Sequence, residues 1–153
     1  MTPRILVTNH QDSVPIDLDR LNTLAAAAVL PALEEPARRG APLASLEEIE
    51  VTIVSDETIA RVHEQFMDIA GPTDVITFDH GEIIVSADTA IENAQRFDNT
   101  SDREVALYII HGLLHLNGHE DGQEDARERM QKVQEKILKE LWPENGKVDD
   151  SIA

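Results

Sequence analysis

Residues 105–121 read V-A-L-Y-I-I-H-G-L-L-H-L-N-G-H-E-D, and the reading of this stretch decides the fold. Val105 to Leu116 is almost continuously apolar, so a helix here is hydrophobic all round and belongs in the middle of the molecule. The polar run Asn99-Thr100-Ser101-Asp102 before it is turn and cap chemistry, which predicts a helix from Arg103 to Asn117. Gly118 stands where a left-handed residue lets the chain leave a helix and fold back. His111 and His115 are four residues apart, roughly 40° around a helix of 3.6 residues per turn, so both imidazoles can reach one metal ion. A lone histidine in an apolar helix is ordinarily a core residue with its nitrogens satisfied. Two on one face, followed by a glycine break and His119-Glu120-Asp121, are harder to bury without a cation, because unpaired polar groups are costly inside a protein. A third ligand just past Gly118 would leave one open position, the arrangement of a catalytic zinc site. In the peptidase motif H-E-x-x-H the Glu is the general base. Here that position is Gly112, which removes the base and argues against a peptidase.

Outward from this helix, the pattern alternates between strand and helix. Arg4 to Thr8 reads as a short strand, and Asp17 to Leu33 as a leucine- and alanine-rich helix capped by Asp17, with Pro31 and Pro36 marking its end. Glu34 to Ser45, with two prolines and a glycine, reads as a loop. In Glu48 to Val54 the alternation of Ile49, Val51 and Ile53 is that of a half-buried strand. Ser55-Asp56 then caps a helix to about Gln65. Thr73 to Phe78 and Glu82 to Ser86, separated by Asp79-His80-Gly81, form an expected antiparallel hairpin. Asp88 to Phe97 is helical, and Gln123 to Trp142 is a last helix with Met130, Val133, Ile137 and Leu141 at helical spacing, stopped by Pro143. The expected fold class is α+β (mixed α/β): a small mixed four-stranded sheet packed with about five helices, the metal site on the buried central helix. We expect one domain over residues 1–153, with 147–153 a disordered tail.

Composition narrows the chemistry. The chain has 153 residues, 13 Lys and Arg against 30 Asp and Glu, and a formal net charge of −17. It has no cysteine, so any metal must sit on His, Asp or Glu. The longest apolar stretch, Leu24 to Leu33, is about half the ~20 residues of a membrane span, and the N-terminus lacks a signal-peptide core, so a soluble cytoplasmic protein is expected. Acidity argues against generic nucleic-acid binding, which draws on Lys and Arg.

Two separated motifs nevertheless carry a resemblance. His111 to Asp121 resembles the H-G-x-L-H-L-x-G-x-D-H signature of the YbeY-type endoribonucleases. Pro72-Thr73-Asp74-Val75-Ile76-Thr77-Phe78 resembles that family's P-T-D-V-L-S-F strand, and Gly81-Glu82-Ile83 its G-D-I. The resemblance covers roughly Ile49 to Trp142. It implies one Zn²⁺ held by three ligands in a cleft, with other divalent transition metals possible, and a single-strand-specific endoribonuclease acting in 16S ribosomal RNA 3′-end maturation and ribosome quality control. It also implies ribosomal RNA, the small ribosomal subunit and a ribosomal protein or GTPase as partners.

This chain departs from the pattern in three places. Asp121 stands where the family has its third ligand His. Carboxylate is an acceptable zinc ligand, so the triad becomes His111, His115 and Asp121, with His119 the rival for the third corner. One carboxylate lowers the net charge of the centre and makes a bound water less acidic, and the harder ligand set also admits iron, nickel or manganese. Met67 stands where the family carries an Arg before Pro-Thr-Asp, and Arg61 is an alternative cation. Asp79 replaces a proline. Glu120, Asp74 and His119 are the candidates for a general base. Glu120 has the alternative role of steadying a ligand His, and Thr73-Asp74 that of a turn cap. His10, His63 and His80 read as surface residues, with the turn of His80 a candidate border of the cleft.

Two further classes compete with the nuclease: a non-catalytic metal-binding ribosome-assembly or partner-binding protein, and a small-molecule metallohydrolase. The −17 charge and an RNA partner are compatible if the acidic residues lie away from the cleft. Lys132, Lys136 and Lys139 cluster on the last helix, while Arg61, Arg96 and Arg103 are scattered. Weak, salt-sensitive RNA binding is the expectation.

Overall fold

The computed structural model describes residues 2–143; the expected tail at 147–153 lies outside them. Four strands, β1 (Arg4–Asn9), β2 (Glu48–Val54), β3 (Val75–Phe78) and β4 (Glu82–Ser86), form one sheet in the order β1-β2-β4-β3. β1, β2 and β4 run parallel, and β3 closes the sheet antiparallel to β4 through the expected hairpin. Among the described residues five α-helices pack around it: α1 (Leu18–Leu33), α2 (Asp56–Met67), α3 (Ala87–Arg96), α4 (Ser101–Leu116) and α5 (Glu124–Leu141). The α+β class read from the sequence holds.

Local chemistry starts four of the helices. Asp17, Ser55, Ser86 and Thr100 each accept, through a side-chain oxygen, the backbone N–H three residues on, which satisfies one of the donors orphaned at a helix start. One element was not expected. A 3₁₀ turn, Pro42–Ser45, sits inside the loop expected over 34–45, and its Leu43 is fully buried. Helix α1 runs through Pro31 to Leu33, as the sequence pattern leads one to expect. Proline removes a hydrogen bond in the helix interior, but here the end is held from outside: Asn117 Nδ2 donates to the carbonyls of Ala32 (2.7 Å) and Leu33 (3.4 Å).

The sheet is covered on both faces. Ile49, Val51, Ile53, Ile83 and Val85 point to one face, where they join α1 and α4 in the main core with Leu21, Ile109, Ile110, Leu113 and Leu114. Ile84 and Ile76 point to the other, under Ile59 of α2. β4 is therefore sandwiched, as its unbroken apolar run Ile83-Ile84-Val85 requires. Fully burying one such side chain is worth roughly 1.5–3 kcal/mol. Among the described residues no helix is long and apolar enough to cross a membrane.

Gly112 sets how closely α4 lies on β4. A Cβ there would stand 2.8 Å from Ile83 Cδ1 and 2.9 Å from its Cγ2, and Ile83 has no exposed surface into which to move. The residue that removes a peptidase base from the motif is thus a packing requirement of the α4–β4 contact. We expect Gly112→Ala to lose stability. Overpacking costs about 1–3 kcal/mol, which exceeds the gain of about 1 kcal/mol in helix propensity. Urea denaturation reads the loss, and adding Ile83→Val, which removes the Cδ1 contact but leaves Cγ2 at 2.9 Å, should relieve only part of the clash.

Candidate metal centre

α4 presents His111 and His115 one turn apart at its C-terminal end, and the chain then reverses at Gly118, whose φ is +94°. The reversal carries Asp121 back to the two rings. Asp121 Oδ2 lies 3.6 Å from His111 Nε2 and 3.6 Å from His115 Nε2, and the two Nε2 atoms are 3.0 Å apart. The two imidazoles meet edge to face, 4.6 Å between centroids. The three donor atoms lie close enough together to hold a single metal ion.

The tautomers follow from the other nitrogens. His115 Nδ1–H donates to the carbonyl of His119 (2.9 Å), an atom that can only accept. His111 Nδ1–H donates to Gln134 Oε1 on α5 (2.8 Å). Both Nε2 atoms are thereby left with lone pairs that face each other and a carboxylate oxygen. Such a convergence is repulsive unless a cation lies between the three. Tetrahedral ligands at 2.0–2.1 Å from zinc stand about 3.3 Å from one another, and the separations here fall on either side of that value. The donor set therefore fits a divalent ion. Burial first, and then the neighbouring His111, hold the His115 pKa below its usual value. Neutral imidazole, the form that ligates, is favoured.

Of the sequence-derived candidates, His111, His115 and Asp121 come together. His119 does not join them: its ring is buried, and Nε2–H donates to the carbonyl of Glu35 (2.6 Å). Its place in the site is its own carbonyl, which orients His115. Glu120 does not steady a ligand histidine; Gln134 and the His119 carbonyl do. Glu120 instead faces the cleft, and its carboxylate takes no hydrogen bond or ion pair among the described residues. Asp74 lines a 220 Å³ pocket with His111 and Asp121, while its Oδ1 also accepts from Val75 N–H (2.8 Å), so it is both turn cap and site wall.

On the other side of Asp121 a cleft of about 440 Å³ opens between α4, the β3 segment and the loop after α1. His63, read from the sequence as a surface residue, lines it, its Nδ1–H donating to the Gly71 carbonyl (2.9 Å). His80 does not; it stacks on Phe78 beside Glu82. Met67 and Asp79 line the cleft, and Arg61 does not. The cleft's cation is Arg38, which lies in a stretch that reads as a plain loop in the sequence. Its placement is long-range. Ala37 N–H donates to the Asn117 carbonyl (3.1 Å), and a Cβ on Gly118 would stand 2.6 Å from Arg38 Cβ, so glycine is needed there for the approach as well as for its φ.

An α+β domain with a His-His-carboxylate centre at the end of a buried helix is the class of protein that fold and site define. The family model described as Endoribonuclease YbeY matches residues 6–142, and the chain belongs to that family. A protein of Carboxydothermus hydrogenoformans named Endoribonuclease YbeY is 31% identical over 123 residues, 74% of this chain and 80% of that protein. One of Rhodopirellula baltica, with the same name, is 36% identical over 107 residues, covering 63% of this chain but only 52% of the relative. The solution structure of a Thermotoga maritima protein superposes with a TM-score of 0.64 at 26% identity, over 95% of this chain and 97% of that one.

Three variants test the centre by elemental analysis of the purified protein. Asp121→Ala should lose most of its metal, while His119→Ala should keep it, because the carbonyl that orients His115 survives the substitution. Gln134→Ala should weaken metal affinity about 10–100-fold, the usual effect of removing the partner of a ligating histidine.

Proposed function

We propose that this protein is a metal-dependent endoribonuclease that hydrolyses phosphodiester bonds in single-stranded RNA. The observation that carries the reading is the convergence of His111 Nε2, His115 Nε2 and Asp121 Oδ2, with His115 and Asp121 lining an open cleft, in a chain of the YbeY family. A divalent ion bound there supplies Lewis acidity toward a phosphoryl oxygen. Zinc suits the donor set best, and one carboxylate among the three ligands leaves room for other divalent transition metals.

The protein's own residues supply the rest. Asp74 has one oxygen engaged by its turn, whereas both oxygens of Glu120 are uncommitted at the cleft, which makes Glu120 the better acceptor for the proton of the attacking nucleophile. Phe66, 62% exposed and edge-on to Phe78 at 5.5 Å, supports a single-stranded substrate, because unpaired bases can stack on such a face. Within this reading the chain is one cytoplasmic domain whose substrate is ribosomal RNA of the small subunit, processed at the 16S 3′ end and in ribosome quality control, with a ribosomal protein or GTPase as partner.

One observation favours a second reading. Phe66, Met67 and Ile69 form an exposed apolar cluster at the end of α2, the kind of surface that a non-catalytic assembly factor would present to a protein partner.

Incubation of the zinc-loaded protein with a structured ribosomal RNA fragment decides between them. The nuclease reading expects cutting in unpaired segments, abolished by His115→Ala and reduced about 10²–10⁴-fold by Glu120→Gln, with the metal content of Glu120→Gln unchanged. Equal cutting by His115→Ala would assign the activity to a contaminant. Absence of cutting, together with co-purification of a ribosomal protein or GTPase that Phe66→Ala abolishes, would favour the assembly factor.

A further inference from the structure

The cleft beside the metal centre is one segment of a longer furrow. The small pocket walled by Asp74 and Arg127 shares Asp121 with the main cleft. A third hollow, of about 300 Å³ and lined by Arg129, shares Arg38, Gly118, His119 and Glu120 with it. The furrow therefore runs from Arg127, across the His111–His115–Asp121 group, to Arg38 and Arg129. Among the described residues none of these three arginines has an ion-pair partner, although the chain carries 30 carboxylate side chains. Exposed guanidinium groups left unpaired along the groove that contains the metal centre are free to take an anion from elsewhere.

We propose that Arg127 on one side of the metal centre, and Arg38 with Arg129 on the other, bind successive backbone phosphates of a single-stranded polynucleotide laid along this furrow. The inference rests on the nuclease reading and adds to it the track that the strand follows. The planar guanidinium fork matches phosphate oxygens in a bidentate way. Arg38 is the best placed of the three, because its backbone is fixed: Ala37 N–H is bonded to Asn117, His119 is bonded to Glu35, and the Gly118 backbone abuts Arg38 itself. The loop that carries this arginine thus cannot drift from the segment that carries the ligands. Asp74, Asp79, Glu120 and Asp121 also line the furrow and oppose an anion. Affinity is consequently modest, and it depends on a cation at the metal centre.

The test is binding of a fluorescein-labelled, 2′-O-methylated oligouridylate to the zinc-loaded protein, by anisotropy over a series of KCl concentrations, with the oligonucleotide checked as intact by electrophoresis. Arg38→Ala and Arg127→Ala should each weaken binding about tenfold at low salt. Each should also flatten the dependence of log Kd on log salt by about 0.7 for every phosphate no longer neutralised, the value for single strands. Metal content should stay at the wild-type level in both. Arg38→Lys should keep the slope, and Met67→Arg, which returns a cation to the same cleft, should restore affinity to Arg38→Ala. Arg61→Ala, outside the furrow, is the control. If the wild type binds while Arg38→Ala and Arg127→Ala match Arg61→Ala in affinity and slope, the track is wrong and the nuclease reading stands. If the wild type binds no RNA at any salt, both fail.

Discussion

Two imidazoles on an otherwise apolar, buried helix are the constraint from which the rest of this structure follows. Helix α4 contributes more of the core than any other element, and it cannot take His111 and His115 inside with it unless every ring nitrogen is accounted for. The solution divides the nitrogens. Each Nδ1–H is given an acceptor within the protein, Gln134 on α5 for one and the backbone after Gly118 for the other, and each Nε2 is turned to the cleft. The docking of α5, the reversal at Gly118 and the return of Asp121 are all parts of that solution. Removing an acceptor would release a ring and its tautomer together.

Much of this was legible in the sequence because it is local. The alternation in Glu48–Val54, the apolar run of α4, the caps and the i, i+4 histidine spacing each report a neighbourhood of a few residues, and each matches the element found there. The glycine break pointed to a third donor just past it, and the resemblance to the family pattern favoured Asp121 over its rival His119. What sequence did not show is what depends on contacts between distant segments. Arg38 sits in a proline-flanked loop with no motif of its own, and its approach to Gly118 comes from hydrogen bonds about 80 residues apart in the chain. The hold on the end of α1 has the same cause, since Asn117 caps it from another helix. His63 reached the cleft because α2 extends to Met67 and the Gly71 carbonyl turns its ring, and neither is encoded by the spacing of the histidines.

The net charge of −17 takes on a different meaning once the residues are placed. As a total it disfavours a polyanionic partner. Some of the positive charge is engaged at the surface, as in Lys136 beside Glu35 and Arg4 beside Glu48. Arg20 is placed over the ring of the buried Trp142, at 3.7 Å from its centroid. Global acidity and a local anion path can therefore coexist, the first governing long-range repulsion and the second short-range contact. Screening by salt at ~8–10 Å under physiological conditions makes that separation effective.

The Asn117–Gly118–His119 tie to the loop after α1 also bears on the order in which the molecule acquires its parts. The tie joins segments 84 and 85 residues apart. Its closure cost is met only after α1 and α4 have packed on the parallel strands, and contacts of such separation slow folding. The residues that close it lie between the second histidine and Asp121. The local spacing that brings the two rings together on one helix is thus available early, whereas the third donor and the loop bearing Arg38 reach their places only with the completed tertiary structure. Competence at this centre is in that sense a late property of the chain, gained cooperatively with the fold.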